Sequence, residues 1–168
     1  MKINNLGKKF FINLFLVILI FLIDRISKIY VIDLDKKFVG SEIFSSKFLN
    51  INLIWNEGIA FGLFSFSHNN LYILLTIVIS LIILTILYFV IKSQGIKKYS
   101  LLMILGGALG NLYDRVFYKA VPDFIDFHIG NFHWFIFNVA DIFITIGVIF
   151  MILNEVIIDN KKKKNESF

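Results

Sequence analysis

The chain has 168 residues, of which 58% are hydrophobic and 20 are Phe, and its mean hydropathy is +0.79. These values lie outside the usual range of water-soluble domains and predict a membrane protein. The net charge of +5 comes without a clustered basic and aromatic module, which argues against nucleic acid as a partner. The absence of Cys excludes disulfides, thiolate metal sites and a cysteine nucleophile.

Four apolar stretches approach the length of about 20 residues that a helix needs to cross the hydrocarbon core of a bilayer. They cover roughly residues 10–32, 70–91, 99–117 and 135–158. The third stretch is short and rich in Gly. The first has no small-residue cleavage site after its apolar run, so we expect it to stay attached. The predicted fold class is membrane all-α with four transmembrane helices.

Basic residues are distributed unequally between the two ends of these spans. One side carries ten lysines: Lys2, Lys8, Lys9, Lys92, Lys97, Lys98 and Lys161 to Lys164. The other side consists of the loops 33–69 and 118–134, where acidic residues offset the few lysines. Positive flanks remain in the cytoplasm, which predicts cytoplasmic termini and outer loops on the opposite side. We expect one domain over residues 1–160 and a disordered basic cytoplasmic tail over 161–168.

Both outer loops contain strand patterns. In the first loop, four apolar residues alternate with polar ones and should share one face of a strand: Leu49, Ile51, Leu53 and Trp55. In the second loop, Gly130-Asn131 lies between the alternating residues of 126–134 and favours a short hairpin. A small β-sheet on the outer membrane surface is therefore predicted.

Polar residues at membrane depth are costly and commonly mark a functional site. They lie toward the predicted outer leaflet: Asp24, Arg25, Lys28, Asn111, Asp114, Arg115, Asn138 and Asp141, with Asp123 just before the fourth span. Asp141 is about six residues, or ~9 Å, into that span, shallow enough to meet Asp123. Two adjacent carboxylates hold one proton between them, so one serves as base and the other as acid. This chemistry is that of aspartyl proteases.

Five blocks of residues resemble, in order, the motifs of the bacterial lipoprotein signal peptidases. The blocks are Asp24-Arg-Ile-Ser-Lys28, Asn56-Glu-Gly-Ile-Ala-Phe61, Gly106-Gly-Ala-Leu-Gly-Asn-Leu-Tyr-Asp-Arg115, Val121-Pro-Asp-Phe124 and Phe137-Asn-Val-Ala-Asp141. The resemblance implies four membrane helices with a small extracytoplasmic β-sheet. It also implies an intramembrane aspartyl endopeptidase that cuts diacylglyceryl-modified prolipoproteins on the amino side of the lipidated cysteine.

The resemblance further implies roles for individual residues. Asp123 and Asp141 would form the catalytic dyad. Six polar residues would line the site, bind substrate or support the dyad: Asn56, Asn111, Arg115, Asn138, Asp24 and Lys28. The expected partners are prolipoproteins and membrane lipids, and no cofactor is expected. We expect a monomer in the bacterial inner membrane, with its active site toward the extracytoplasmic face.

Simpler interpretations accompany several of these residues. Asp24 and Lys28 lie one helical turn apart and either neutralise each other or contact substrate. A local charge pair with Arg115 explains Asp114, and Gly106-xxx-Gly110 indicates close helix packing. The three histidines show no helical ligand spacing, so no metal site is predicted.

Two other functions use the same polar residues. Spacing alone is equally consistent with Asp123 and Asp141 as a structural pair, so a noncatalytic scaffold is one alternative. The main alternative is a small proton-coupled transporter, since intramembrane acids also suit a proton relay. A transporter should show repeat symmetry or acids near the midplane, whereas these acids gather at one end of the spans.

Overall fold

A computed structural model describes residues 2–38, 43–58 and 69–166. The described helices are α1 (Lys2–Lys37), α2 (Asn69–Lys92), α3 (Gly95–Tyr118) and α4 (Val139–Glu166). The described strands are β1 (Phe44–Ser45), β2 (Leu49–Asn56), β3 (Val121–Ile129) and β4 (Phe132–Phe137), which form one antiparallel sheet in the order β1-β2-β3-β4. The prediction of a mostly helical chain with a small sheet is thus confirmed.

Three of the helices in the described part of the chain are long and apolar enough to cross a membrane. The qualifying segments are Gly7–Lys37, Tyr72–Lys92 and Val139–Ile158. Helix α3 is not among them, although it contains the third predicted span. The packing of α3 explains why it is less apolar than these three segments. It contacts α1, α2 and α4 and buries Leu101, Leu102 and Leu105, so protein covers much of its surface. A helix covered by protein needs fewer apolar residues than one surrounded by lipid.

The helices place the sheet at one end of the bundle. Ile20 lies against Gly106, and Asp24, one turn further along α1, lies against Gly110, so α1 and α3 run in the same direction. Strands β1 and β2 connect α1 to α2, and β3 and β4 connect α3 to α4. Both connections therefore begin at the same end, which is where the polar residues of the helices gather.

The predicted bounds of the fourth span were wrong at its first residues. The predicted disorder of the tail was wrong for residues 161–166, and residues 167 and 168 lie outside the described residues. Residues 135–137 belong to β4, so α4 begins only at Val139. Asp141 is therefore the third residue of the helix rather than about the sixth of a span. At the other end α4 continues through Glu166, because no Gly or Pro interrupts the lysine-rich segment.

The predicted hairpin is confirmed. Ile129 pairs with Phe132 across a two-residue turn, and Gly130 adopts a φ of +58°. This left-handed backbone conformation favours Gly, which has no Cβ to clash. The turn joins β3 to β4 and orients the side chains of both strands.

The predicted single apolar face of β2 is wrong. Ile51 pairs with Ile125, but Ile54 pairs with Asp123, so β2 contains one more residue than β3 between these pairs. Such a β-bulge reverses the alternation of side chains along the strand. Trp55 consequently lies on the face opposite Ile51 and Ile54, and 43% of it is exposed.

Glycines of α3 allow close contact with α1 and α4, as the spacing of Gly106 and Gly110 predicts. A Cβ built on Gly107 would lie 2.5 Å from the carbonyl oxygen of Ala140. A Cβ on Gly110 would lie 2.5 Å from Oδ2 of Asp24. Both distances are far shorter than van der Waals contact. A larger residue at Gly107 would therefore push α4 away, and one at Gly110 would displace the Asp24 side chain or separate α1 from α3.

We expect Gly110→Ala to destabilise the protein by about 1–3 kcal/mol, the usual cost of overpacking. The matched control is Gly7→Ala in α1, where a Cβ would meet nothing within 4 Å and where Ala favours the helix. Thermal unfolding in detergent measures the stability of both variants. Equal melting temperatures for the two variants would contradict the close approach of α3 and α1.

Candidate active site

Asp141 is held in the first turn of α4 by Asn138, the residue before the helix. The backbone N–H of Asp141 donates to Oδ1 of Asn138 at 3.2 Å, and the backbone N–H of Asn138 donates to Oδ2 of Asp141 at 3.1 Å. This reciprocal arrangement has the form of a capping box, which satisfies donors that a helix start leaves unpaired. The start of α4 thus fixes one oxygen of the Asp141 carboxylate.

Asp123 comes from the sheet and meets the same asparagine. It lies on β3, where 5% of it is exposed. Its Oδ1 accepts a hydrogen bond from Nδ2 of Asn138 at 2.6 Å, and its Oδ2 accepts one from Nδ2 of Asn56 at 2.8 Å. Asn138 therefore bonds to both aspartates and joins the sheet carboxylate to the helix carboxylate.

Three asparagines present their NH2 groups to the two carboxylates because a donor holds each amide oxygen. Oδ1 of Asn56 accepts the N–H of Gly58 at 2.9 Å, and Oδ1 of Asn138 accepts the N–H of Asp141. Oδ1 of Asn111 accepts the ammonium of Lys28 at 2.8 Å, which leaves its Nδ2 to donate to Oδ1 of Asp141 at 2.8 Å. The network thereby determines the orientation of every amide.

Six of the eight predicted site residues line one cavity of about 240 Å3: Asn56, Asn111, Arg115, Asp123, Asn138 and Asp141. Apolar groups of β4 and α4 complete the lining, among them Ile144 and Thr145. These two residues lie three and four positions after Asp141, one turn along the same helix face. Sequence analysis did not identify them, although the helical spacing from Asp141 was an available signal.

Asp24 and Lys28, the other two predicted residues, lie behind the cavity rather than in its lining. Both are fully buried, and Nζ of Lys28 donates to Oδ2 of Asp24 at 2.9 Å and to Oδ2 of Asp114 at 2.7 Å. Oδ1 of Asp24 accepts the N–H of Ala140 in the first turn of α4 at 3.0 Å. These contacts connect α1 to α3 and α4 and reach Asp141 through Asn111.

The predicted local pair of Asp114 with Arg115 was wrong, because successive helix residues do not face each other. Asp114 instead faces α1, where its Oδ1 lies 2.6 Å from the guanidinium of Arg25 without hydrogen-bond alignment. Arg115 points into the cavity and donates to the carbonyl oxygen of Gly58 at 3.2 Å. It therefore holds the segment after β2 in place, and residues 59–61 of the Asn56 block lie outside the described residues.

Comparison with known proteins identifies the family. Residues 16–157 match the family model described as signal peptidase (SPase) II. The chain belongs to the signal peptidase II family. Curated family members support this: a lipoprotein signal peptidase of Pelagibacter ubique (strain HTCC1062) is 48% identical over 160 residues, covering 95% of this chain and 96% of that protein. The lipoprotein signal peptidase of Anaplasma marginale (strain Florida) is 38% identical, covering 83% of this chain and 81% of that protein.

Solved structures of bacterial membrane enzymes share the fold of this signal peptidase II family member. A bacterial membrane enzyme solved by the in meso method at 2.3 Å resolution superposes with a TM-score of 0.69 at 32% identity, covering 86% of this chain and 87% of that one. A second bacterial membrane enzyme, solved by the same method at 1.9 Å resolution, superposes with a TM-score of 0.70 at 29% identity. The superposition covers 84% of this chain and 90% of that one. With three apolar helices long enough to span a bilayer, this family member is a multi-pass membrane protein.

The protonation of Asp123 responds to its surroundings in the sheet. Burial raises the pKa of Asp123 from 3.8 to about 6, and the nearby charge of Asp141 adds to the rise. The hydrogen bonds from Asn56 and Asn138 favour the ionised carboxylate and oppose that rise. A carboxyl group that titrates near neutrality is able to exchange a proton during a reaction.

The raised pKa of Asp123 predicts a pH dependence of stability. The folded protein binds this proton more tightly than the unfolded chain, so the stabilisation is complete below about pH 3.8 and is lost as pH rises through about 6. Relative to Asp123→Asn, the wild type should lose up to about 3 kcal/mol of unfolding free energy between acidic and mildly alkaline pH. Thermal melts across this range measure the difference, and parallel pH profiles of the two proteins would refute it.

Proposed function

We propose that Asp123 and Asp141 are the catalytic pair with which this aspartic-type peptidase removes signal peptides from lipoproteins. The peptidase class and the removal of signal peptides follow from membership of the signal peptidase II family. The observation that carries the assignment to these two residues is that both carboxylates line one cavity and bond to the same residue, Asn138: Asp123 to its side-chain NH2 group and Asp141 to its backbone N–H. The sheet and the helix thus bring together the two carboxyl groups, one ionised and one protonated, that the proposed reaction uses.

The proposed reaction is direct hydrolysis of the peptide bond. The ionised carboxylate of the pair takes a proton from a water molecule, whose oxygen attacks the peptide carbonyl carbon. The protonated carboxyl group donates its proton to the carbonyl oxygen, which gives a tetrahedral intermediate. The C–N bond then breaks as the carboxyl group that took the proton from water gives it to the leaving nitrogen, and the other carboxylate takes back a proton from a hydroxyl of the intermediate, so the pair returns to its starting state. The three asparagine NH2 groups keep both carboxylates oriented throughout, and no covalent intermediate and no cofactor are needed.

We propose a diacylglyceryl-modified prolipoprotein as the substrate, cut on the amino side of the lipidated cysteine. The cavity supports this, because its lining continues from Asp141 to Ile144 and to Thr145, which is exposed on the surface of α4. Acyl chains lying in the bilayer would approach the carboxylates along this side of the helix. Arg115 and Asn56 lie at the opposite, polar part of the lining and are placed to bind the peptide backbone.

The same proposal includes a membrane arrangement. We infer four spans within a single unit of residues 1–160, because α3 runs parallel to α1 and its 24 residues measure about 36 Å. Ten of the 17 basic residues, all lysines, lie at the end of the bundle away from the sheet, which supports cytoplasmic termini and an active site toward the extracytoplasmic face of the bacterial inner membrane. Residues 161–168 then extend into the cytoplasm, and a lipid-embedded monomer suffices for the site.

The proton-coupled transporter has no support from these findings. The buried acids gather at the sheet end of the helices and bond to neighbouring amides and to Lys28. The family match covers the same residues. A peptidase therefore accounts for the amides, the sheet and the cavity together.

Purified protein in detergent, incubated with a diacylglyceryl-modified prolipoprotein, tests the proposed substrate. We expect mass spectrometry to detect a product that begins at the lipidated cysteine. The matched control is the same prolipoprotein with that cysteine replaced by serine, which cannot carry the lipid and should remain uncut. No cleavage of the lipidated form, or equal cleavage of both forms, would overturn the proposed specificity.

A further inference from the structure

The hairpin β3–β4 brings together three side chains that the active site does not use. Asp126 and His128 are two residues apart on β3 and share a face of the strand, and His133 lies directly opposite His128 on β4. One ring nitrogen from each histidine and one carboxylate oxygen all lie within 4.8 Å of one another. We propose that Asp126, His128 and His133 bind a divalent transition-metal ion such as Zn2+.

The chemistry of the three ligands suits such an ion. Zinc binds imidazole nitrogen and carboxylate oxygen at about 2.0–2.2 Å, which holds the ligands of one ion about 3–4 Å apart. Binding would therefore draw the three ligand atoms, which now lie within 4.8 Å of one another, closer together. Two imidazoles and one carboxylate also leave a coordination position for water, and they favour Zn2+ over Mg2+ or Ca2+, which prefer oxygen ligands.

In the part of the chain that the structure describes, two of the three residues have polar atoms with few or no hydrogen-bond partners. Asp126 is 3% exposed, and among the described residues its carboxylate has one side-chain partner, Nδ1 of His133, at 3.0 and 2.8 Å. The buried Nδ1 of His128 has no hydrogen-bond partner within the described part of the chain. A buried carboxylate and a buried nitrogen without sufficient hydrogen-bond partners are costly, and a shared cation relieves that cost.

Access to the three residues comes from the His133 side. The side chain of His133 is 52% exposed, and its ring stacks on that of His128 with centroids 5.1 Å apart. An ion arriving from solvent therefore meets His133 first and reaches the buried Asp126 behind it. Once bound, it would join β3 to β4 three residues from Asp123, so it should stabilise the hairpin that carries this aspartate.

Helical spacing rules cannot detect this set, which explains why the sequence suggested no metal. His128 and His133 are five residues apart, a separation that does not place two ligands on one helix face. A two-residue hairpin turn, in contrast, places these positions opposite each other. The proposed ion is independent of the peptidase reaction, so the test of one does not decide the other.

Isothermal titration of the purified full-length protein with Zn2+, after removal of any polyhistidine tag, tests the proposal. We expect one ion per chain, a higher melting temperature with Zn2+, and visible absorption bands when Co2+ replaces it. His128→Ala and His133→Ala should each weaken binding by about tenfold or more. The matched control is His68→Ala, which removes the third histidine of the chain and should bind as the wild type does.

Thermal melts without metal establish that each variant is folded before titration. His133 is the safer variant for this purpose because half of its side chain is exposed. Absence of Zn2+ binding by the wild type would overturn the proposal and leave His133 and Asp126 as a hydrogen-bonded pair only. Undiminished binding in folded His128→Ala or His133→Ala, or loss of binding in His68→Ala, would also overturn it.

Discussion

Asp123→Asn and Asp141→Asn should each lower the rate of prolipoprotein cleavage by about 10^2–10^4-fold, the usual contribution of a positioned acid or base. Asparagine retains the size of aspartate but neither accepts nor donates the proton that hydrolysis requires. Both positions line the cavity and bond to Asn138, so neither variant empties space in the core. Initial rates on a lipidated prolipoprotein measure the effect.

The matched control is Asp33→Asn, near the end of α1. Asp33 pairs with Lys37 at 2.7 Å, but its side chain is 59% exposed, so the pair contributes little to stability. This variant makes the same chemical change away from the cavity and should cleave at the wild-type rate. Wild-type activity in folded Asp123→Asn or Asp141→Asn would remove these residues from the mechanism.

Lys28→Met should destabilise the protein by about 3–5 kcal/mol, because it leaves the two buried carboxylates of Asp24 and Asp114 beside the single positive charge of Arg25. The ammonium of Lys28 donates to Asp24, Asn111 and Asp114 at 2.7–2.9 Å. Methionine has a similar length and is apolar, so packing is largely preserved. Cleavage should also fall, since Asn111 loses the donor that turns its NH2 group toward Asp141.

A double variant separates the two roles of Lys28. Lys28→Met with Asp114→Asn removes one positive and one negative charge from the cluster, so thermal melts should show part of the stability restored. The orientation of Asn111 is not restored, and cleavage should remain low at temperatures where the protein is folded. Recovery of both stability and cleavage would show that Lys28 acts on stability alone.

The control for this series is Lys37→Met, which removes a lysine whose side chain is 64% exposed. It should leave the melting temperature and the cleavage rate near the wild-type values. A wild-type melting temperature in Lys28→Met would contradict the buried charge cluster itself. Equal losses in Lys37→Met and Lys28→Met would indicate a general effect of lysine replacement.

Composition and the motif blocks were sufficient to predict much of this protein. Long apolar segments with a single Pro predict membrane helices, because only helices and closed barrels satisfy the backbone in lipid and uninterrupted apolar runs of about 20 residues match the length of a helical span. Polar side chains within such segments are so costly that their positions alone indicate a site. The hairpin at Gly130 was also predictable, since its geometry depends on two adjacent residues.

The partners of each polar side chain depended on the tertiary structure. Asn56 and Asp123 are separated by 67 residues yet share a hydrogen bond, because β2 and β3 pair in the sheet. Asp114 bonds across 86 residues to Lys28 rather than pairing with its neighbour Arg115, because the helix directs adjacent side chains to different faces.

The sequence by itself thus determined that the chain crosses a membrane with helices and which residues are chemically unusual there. Only the tertiary structure decided the start of α4 at Val139, the bulge in β2, the orientation of the three asparagines and the juxtaposition of Asp126 with two histidines. The physical reason is the distance along the chain over which each effect acts. Hydrophobicity and turn geometry act over a few residues, whereas strand register and helix packing depend on surfaces assembled from distant parts of the chain.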